Sequence, residues 1–267
     1  MPAPRNPLKA ALAQGRVQIG LWLGLTDPLI AEIAASAGFD WCLVDAEHGP
    51  NTVTDIRAQL QAIGERAAPV VRVPINEAWL LKQVLDLGAQ TVLVPMVESA
   101  EAAARAVAAC RYPPQGIRGV AAPIVRASGY GAVADYVTTA NDEICVIVQV
   151  ETRAAADRID AIAAVDGVDA VFIGPADLSA DMGFPGRPTE PEVLAEIDRL
   201  IERIRAAGKA AGIIQYDAAA VAQYARAGVT FIGAGSDAGL VSTTLRAVAR
   251  SAKDAVAGGT QETVGPA

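Results

Sequence analysis

Charged residues in this chain stand at the ends of short apolar runs, where few such groups are tolerated, and their types suit the handling of an oxyanion. In Leu-Val-Asp-Ala-Glu-His, Asp45 and Glu47 alternate onto one face of an extended segment, and His48 opens the turn beyond it. Arg72 closes Pro-Val-Val-Arg, Gln149 and Glu151 alternate at the end of Ile-Val-Gln-Val-Glu, and Asp177 follows Phe-Ile-Gly-Pro-Ala. A desolvated charge must be paired, hydrated or bound to a metal. A ring of structural ion pairs would satisfy that demand too. The convergence of groups from four segments on one rim favours a reactive site instead.

Glu151 and Asp177 make an all-oxygen donor pair with no imidazole or thiolate cluster beside it, which favours magnesium or manganese over zinc. Two protein donors leave positions open. The keto and carboxylate oxygens of a 2-oxo acid suit two of them, so that the ion acts as a Lewis acid on a developing enolate. Arg72 beside the same oxygen shares that charge. The turn Gly174-Pro175-Ala176-Asp177 offers N–H groups from Ala176 and Asp177, since Pro175 has none. His48 is the single histidine. Imidazole is well matched to proton transfer near neutral pH, and Asp45, three residues earlier, is placed to orient it. A lone histidine is often a satisfied surface or core residue, but this one lies between Glu47 and a Gly49-Pro50 turn at a strand end. Schiff-base chemistry would need a lysine inside a strand. Lys9, Lys82, Lys209 and Lys253 fall instead on helices or at the opposite rim.

Such groups converge only if several parallel strands end together. Eight apolar runs read as strands, at 18–24, 41–47, 69–73, 91–97, 145–151, 170–174, 211–215 and 231–235. Between and after them, helical periodicity covers 29–37, 53–63, 79–87, 100–110, 153–165, 191–207, 218–227 and 240–256. Gly38, Gly88, Gly208 and Gly228 fall where helices would end. The pattern is that of an α/β (β/α)8 barrel, one domain over residues 1–257, with reactive groups at the strands' C-terminal ends. The connection 111–143 is long and contains Pro113-Pro114-Gln115-Gly116 and Gly129-Tyr130-Gly131. Long connections in compact domains are usually functional, and its Arg118 and Arg126 are candidates for holding a distal substrate carboxylate. Residues 258–267 show no apolar pattern and are expected to form a disordered tail.

Composition narrows the partners. A formal charge of −8 and a pI near 4.8 lack the basic footprint that nucleic acid or an anionic membrane requires. No apolar run reaches a membrane span, and the N-terminus has no continuous apolar stretch of a secretory signal, so the expected location is the cytoplasm. Cys42, Cys110 and Cys145 show no CxxC spacing and read as small buried hydrophobes.

Four segments together resemble one family: Gly-Leu-Trp-Leu-Gly at 20–24, Asp-Ala-Glu-His-Gly-Pro at 45–50, Tyr-Pro-Pro-Gln-Gly-Ile-Arg-Gly at 112–119 and Phe-Ile-Gly-Pro-Ala-Asp-Leu-Ser at 172–179. They are similar to the 4-hydroxy-2-oxoheptane-1,7-dioate aldolases, metal-dependent pyruvate aldolases of the phosphoenolpyruvate/pyruvate barrel superfamily. The resemblance implies Glu151 and Asp177 as ligands to Mg2+, Mn2+ or Co2+, Arg72 as the enolate-stabilising cation, and His48 with Asp45 as an acid/base dyad. It implies substrate contacts from Gln149, Gly174, Ala176 and Asp177, with Glu47 and Trp22 supporting them from behind. It also implies a homohexamer, a trimer of dimers, in which the last barrel helix packs on a neighbouring subunit. The expected substrates are a 2-oxo acid, pyruvate or hydroxypyruvate, and an aldehyde. A sugar-acid aldolase of the 2-dehydro-3-deoxyglucarate type is the alternative within the class. A citryl- or malyl-CoA-type lyase would need a basic cleft for CoA phosphates, and a non-catalytic 2-oxo-acid sensor would not need Glu151 and Asp177.

Overall fold

A parallel strand covered on both faces can carry few polar side chains along its middle, and the runs that meet this demand pair into a closed barrel. The computed structural model describes residues 1–259. Its strands are β1 (Gln18–Leu23), β2 (Trp41–Asp45), β3 (Ala68–Arg72), β4 (Thr91–Val94), β5 (Cys145–Val150), β6 (Ala170–Ile173), β7 (Ala210–Ile214) and β8 (Phe231–Ser236). They are hydrogen-bonded in that order, all parallel, and β8 closes onto β1. The helices are α1 (Pro7–Ala13), α2 (Pro28–Ser36), α3 (Val53–Ile63), α4 (Ala78–Asp86), α5 (Ala100–Cys110), α6 (Tyr136–Glu143), α7 (Arg153–Asp157), α8 (Ile159–Ala163), α9 (Pro175–Asp181), α10 (Pro191–Ala206), α11 (Ala218–Arg226) and α12 (Asp237–Gly259). The (β/α)8 barrel read from the sequence is the fold.

Large side chains fill the barrel's interior. Trp41 stacks on Phe231 at 4.1 Å between ring centroids, and Trp22 meets Trp41 edge-on at 5.4 Å. Gly20 makes room for this: a Cβ there would lie 1.9 Å from the Trp41 ring. Leu8 and Leu12 of α1 join the same cluster and close the floor. Buried Asn6 caps α1 and also donates to Gln90 O at 3.2 Å, Thr91 Oγ1 at 3.0 Å and Glu143 O at 3.0 Å, which ties the cap to the barrel. Between barrel and helices lies a second, aliphatic core of Val, Ile, Leu and Ala.

Several elements depart from the sequence expectation. β1 to β7 end one to three residues earlier than expected, β2 at Asp45 and β4 at Val94 by the most, where the paired register with the next strand stops. The helix expected over 153–165 is two, broken at Arg158, whose φ of −104° and ψ of 12° leave the helical region. The terminal helix expected around Lys9 is α1, whereas α6 and α9 were not anticipated; each has few residues and little periodicity to reveal it. The long connection joins a helix to the start of β5, so it lies at the floor and not at the rim where the strands end. There it holds the N-terminus, Ala3 N–H donating to Thr139 Oγ1 at 2.8 Å. α12 runs to Gly259, two residues into the segment expected as a tail; 260–267 lie outside the described residues. Among the described residues no helix is long and apolar enough to cross a membrane. All three cysteines are free and buried, and burial pushes the Cys42 and Cys110 thiols up to about 12, consistent with a packing role.

Candidate active site

The β2–β3 register sets Asp45 directly beside Arg72. The guanidinium grips the carboxylate with both edges: Nε donates to Oδ1 at 2.8 Å and Nη2 to Oδ2 at 2.6 Å. Asp45 Oδ1 also accepts the amides of Glu47 at 3.0 Å and His48 at 3.4 Å, which curls the chain at the strand end. The third edge of Arg72 meets Glu47, Nη1 to Oε2 at 2.7 Å but off the N–H direction, an ion pair without a hydrogen bond. Arg72 also lies over the Trp22 ring at 5.9 Å. Below this turn, Asn51 donates to Asp45 O at 2.7 Å and Gln59 to Asn51 Oδ1 at 2.6 Å, a buried amide chain that anchors the start of α3.

The dyad expected of Asp45 and His48 is not formed through side chains. Asp45 is consumed by Arg72, and its bond to His48 goes to the amide. The imidazole is two-thirds exposed, and its Nε2 stands 3.9 Å from Glu47 Oε2. Glu47 is therefore the carboxylate that faces the ring.

Glu151, just past β5, is 2% exposed. Its Oε1 accepts the Met96 amide at 2.9 Å, and its Oε2 accepts the Gln149 side chain. Met96 adopts φ of +52°, a left-handed conformation uncommon for a side-chain-bearing residue, and this turn aims its N–H at the carboxylate. On the other side Gly174 presses close: a Cβ there would lie 2.6 Å from Glu151 Oε2. Asp177 follows in the first turn of α9, where Ala176 and Asp177 carry amides with no acceptor inside the helix. Burial, chiefly, raises the Glu151 carboxyl above its usual range. The Gln149 and Met96 bonds oppose that rise and the Asp177 charge adds to it. Glu47 is raised as well, first by burial, against the pull of Arg72 and with the push of Glu151.

These groups border a cavity of about 510 Å³ that includes Trp22, Asp45, His48, Arg72, Gln149, Gly174, Ala176 and Asp177. Glu47 and Glu151 stand directly beside this lining, Glu47 against Arg72 and Glu151 against Gln149 and Gly174. Two contributors escaped the sequence reading. Met96 acts through its amide, which no side-chain pattern reveals. Asp237, 3% exposed, lines the cavity and accepts the amides of Gly24, Leu25 and Ala238, fastening the loop after β1 to the start of α12. The rule that found Asp177, an acid just past a strand, would have found Asp237. Among the described residues no lysine lines the cavity. Lys9 donates to Asp142 O and Ile144 O at the floor, and Lys209 to Val168 O, so the expected absence of a Schiff-base lysine matches their placement.

The sequence profile of the HpcH/HpaI aldolase/citrate lyase family matches residues 18–244. The chain is 53% identical over 249 residues to the hydroxypyruvate/pyruvate aldolase of Agrobacterium fabrum, spanning 93% of this chain and 94% of that protein. It is 52% identical over 246 residues to the 4-hydroxy-2-oxo-heptane-1,7-dioate aldolase of Salmonella dublin, spanning 92% and 94%. A crystal structure of an HpcH/HpaI aldolase/citrate lyase family protein from Burkholderia cenocepacia superposes with a TM-score of 0.88 at 42% identity, covering 94% of this chain and 99% of that one. Matched along most of its length both by the family profile and by aldolases of more than half its residues, the chain belongs to the HpcH/HpaI aldolase/citrate lyase family and is a carbon–carbon lyase.

Proposed function

We propose that the chain cleaves 4-hydroxy-2-oxo acids, such as 4-hydroxy-2-oxoheptanedioate, reversibly to pyruvate and an aldehyde, with hydroxypyruvate as a second donor, using a divalent cation held by Glu151 and Asp177. One observation carries this reading. Three carboxylates, Asp45, Glu47 and Glu151, act on the single guanidinium of Arg72, which the first two already occupy. Glu151 is buried beside the charge of Asp177 with only neutral hydrogen-bond donors of its own. Such a pair fits a hard cation with oxygen donors, Mg2+, Mn2+ or Co2+. Two protein donors leave the remaining positions to substrate and water. When bound, the ion supplies Lewis-acid stabilisation of negative charge on the keto oxygen.

The chain's own groups account for the rest. Arg72, locked by Asp45, shares the charge of that oxygen without having to reorganise. The amides of Ala176 and Asp177, beside Gly174, receive the 2-oxo acid's carboxylate. Gln149, whose Oε1 is buried without a partner, has an acceptor to offer a substrate hydroxyl or a water. His48 takes the proton of the 4-hydroxyl as the C3–C4 bond breaks; the bond's electron pair forms the pyruvate enolate, and a proton returned to C3 yields pyruvate. Glu47, facing the imidazole, stabilises its charged form.

Pyruvate release should vanish after chelation and return with Mg2+, Mn2+ or Co2+. Full turnover in excess EDTA defeats the reading. We further read the chain as a homohexamer, a trimer of dimers. α12 is exposed through most of its length, with Val241, Leu245 and Val248 at helical spacing, while Leu29 and Ile33 of α2 are exposed where a last barrel helix would lie. An exchange of α12 between subunits would cover both.

A further inference from the structure

Several polar side chains that the sequence offers to the site lie at the floor of the barrel. Arg118, expected to hold a distal carboxylate, is 1% exposed there, donating to Asp86 at 2.7 Å with its guanidinium 4.4 Å from the Tyr112 ring. Arg126 is likewise remote from the cavity, donating to Leu87 O at 2.7 Å beside the strand starts. Gln59 is different. It lies on the inward face of α3 with Ile56, Leu60 and Ile63, and it is fully buried. Leucine or methionine would fill that place at less cost, because the Oε1 of Gln59 is buried without a partner. Its Nε2 donates to Asn51 Oδ1 at 2.6 Å, and Asn51 Nδ2 donates to Asp45 O at 2.7 Å. Gln59 thereby fixes which way round the Asn51 amide stands, nitrogen toward Asp45. α3 does not need this chain in order to begin, since Thr52 and Asp55 close its first turn as a capping box.

What the amide chain does fix is the turn 46–51. Ala46 N–H donates to Arg72 O at 3.0 Å, so the sheet holds the near end of that turn. Beyond it, the amides of Glu47 and His48 end on Asp45 Oδ1, and Asn51 closes the loop on Asp45 O. Gly49 is wedged inside: a Cβ there would lie 2.5 Å from Asp45 O and 2.9 Å from Asn51 Nδ2. His48 rides on this turn with its ring mostly exposed and 3.9 Å from Glu47 Oε2, beyond hydrogen-bond reach. The backbone of the turn therefore sets where the imidazole stands at the cavity. Arg72 and Glu151 are held by other contacts, Arg72 by the β2–β3 pairing and Glu151 by Met96 and Gln149. Loosening the amide chain acts on the His48 end of the site and spares the end that receives the 2-oxo acid.

Resting on the retro-aldol chemistry proposed above, we propose that Gln59 is a positioning residue for His48: its amide, acting through Asn51, holds the turn after β2 so that the imidazole meets the 4-hydroxyl of the substrate. The bond broken and the path of the proton are those already described. Gln59 itself touches neither substrate nor cation.

The test uses the full chain loaded with Mg2+ and 4-hydroxy-2-oxoheptanedioate as substrate. Gln59→Met conserves volume and removes the amide. Its kcat should fall by about tenfold or more, since a misplacement of about 1 Å can cost about a hundredfold. The constant for inhibition by pyruvate, which reads the other end of the site, should move by less than about twofold. In protein carrying 13C-labelled histidine the one ring signal should shift, a change that a loss of stability alone would not produce. Asn51→Ala should show the same selective loss, and the double variant should be no slower than Asn51→Ala, because the two residues act in one chain. An unchanged kcat in Gln59→Met, an unmoved ring signal, an equal loss of pyruvate inhibition, or losses that multiply in the double variant overturns the proposal. Gln59→Leu replaces the methionine variant if circular dichroism shows the latter unfolded; if neither folds, the amide is structural and the proposal is overturned. No cleavage by the Mg2+-loaded wild type rejects the reaction read above together with this proposal, whereas cleavage at a rate that Gln59→Met matches rejects this proposal alone.

Discussion

Arg72 is taken up by Asp45 and Glu47, and buried Glu151 has only neutral hydrogen-bond donors, from Met96 and Gln149. Burial raises this carboxyl, and Asp177 raises it further. A group whose folded-state value is raised stabilises the fold below its unfolded value and loses that contribution as pH rises through the folded one. EDTA-treated protein should therefore lose thermal stability as pH climbs from the usual carboxylate range through the raised range of Glu151, with Glu47 adding in the same direction. Glu151→Gln should flatten that slope, and a bound cation should oppose it, because the ion favours the ionised carboxylates. The measurement is Tm against pH with and without Mn2+. Identical slopes for stripped wild type and Glu151→Gln would remove Glu151 as the strained group.

At the scale of elements, position at the rim is a matter of register and clearance. β2 and β3 pair so that Asp45 and Arg72 are direct neighbours, and β5 and β6 pair so that Gly174 meets Glu151. Gly174→Ala would push a methyl group within 2.6 Å of Glu151 Oε2. Overpacking of this kind costs roughly 1–3 kcal/mol. The variant should melt earlier and bind Mn2+ more weakly by calorimetry, although it removes no charge. Unchanged stability and affinity would show that the turn has slack. The sequence made most of these elements legible, because alternating and helical spacing report burial directly. It did not reveal α9, which is short and begins Gly-Pro, or the break at Arg158, since neither perturbs the apolar pattern.

Across the whole molecule, the unusual feature is an apolar stripe left on the surface by α12. Leu245 and Val248 are 63% and 62% exposed, more than a lone helix of an acidic, well-packed barrel requires. If a second copy covers them, the wild type should sediment as a hexamer, and Leu245→Glu with Val248→Glu should yield smaller species whose circular dichroism still reports a folded barrel. A monomeric wild type would end the hexamer reading.

What the sequence determined by itself was the barrel, the order of its strands and the charged residues near their C-terminal ends, because covalent order and side-chain period dictate which groups a parallel sheet can bury and which it must deliver to its rim. It also separated this site from lysine chemistry, since no lysine fell within a strand. Tertiary structure decided the partnerships. It gave Asp45 to Arg72 and left the His48 ring to Glu47, brought the Met96 amide and Asp237 to the site, and took Arg118 and Arg126 away to the floor. Those outcomes depend on distances of a few ångströms between segments far apart in the chain. Residue type and spacing limit such distances, but only the packed barrel sets them.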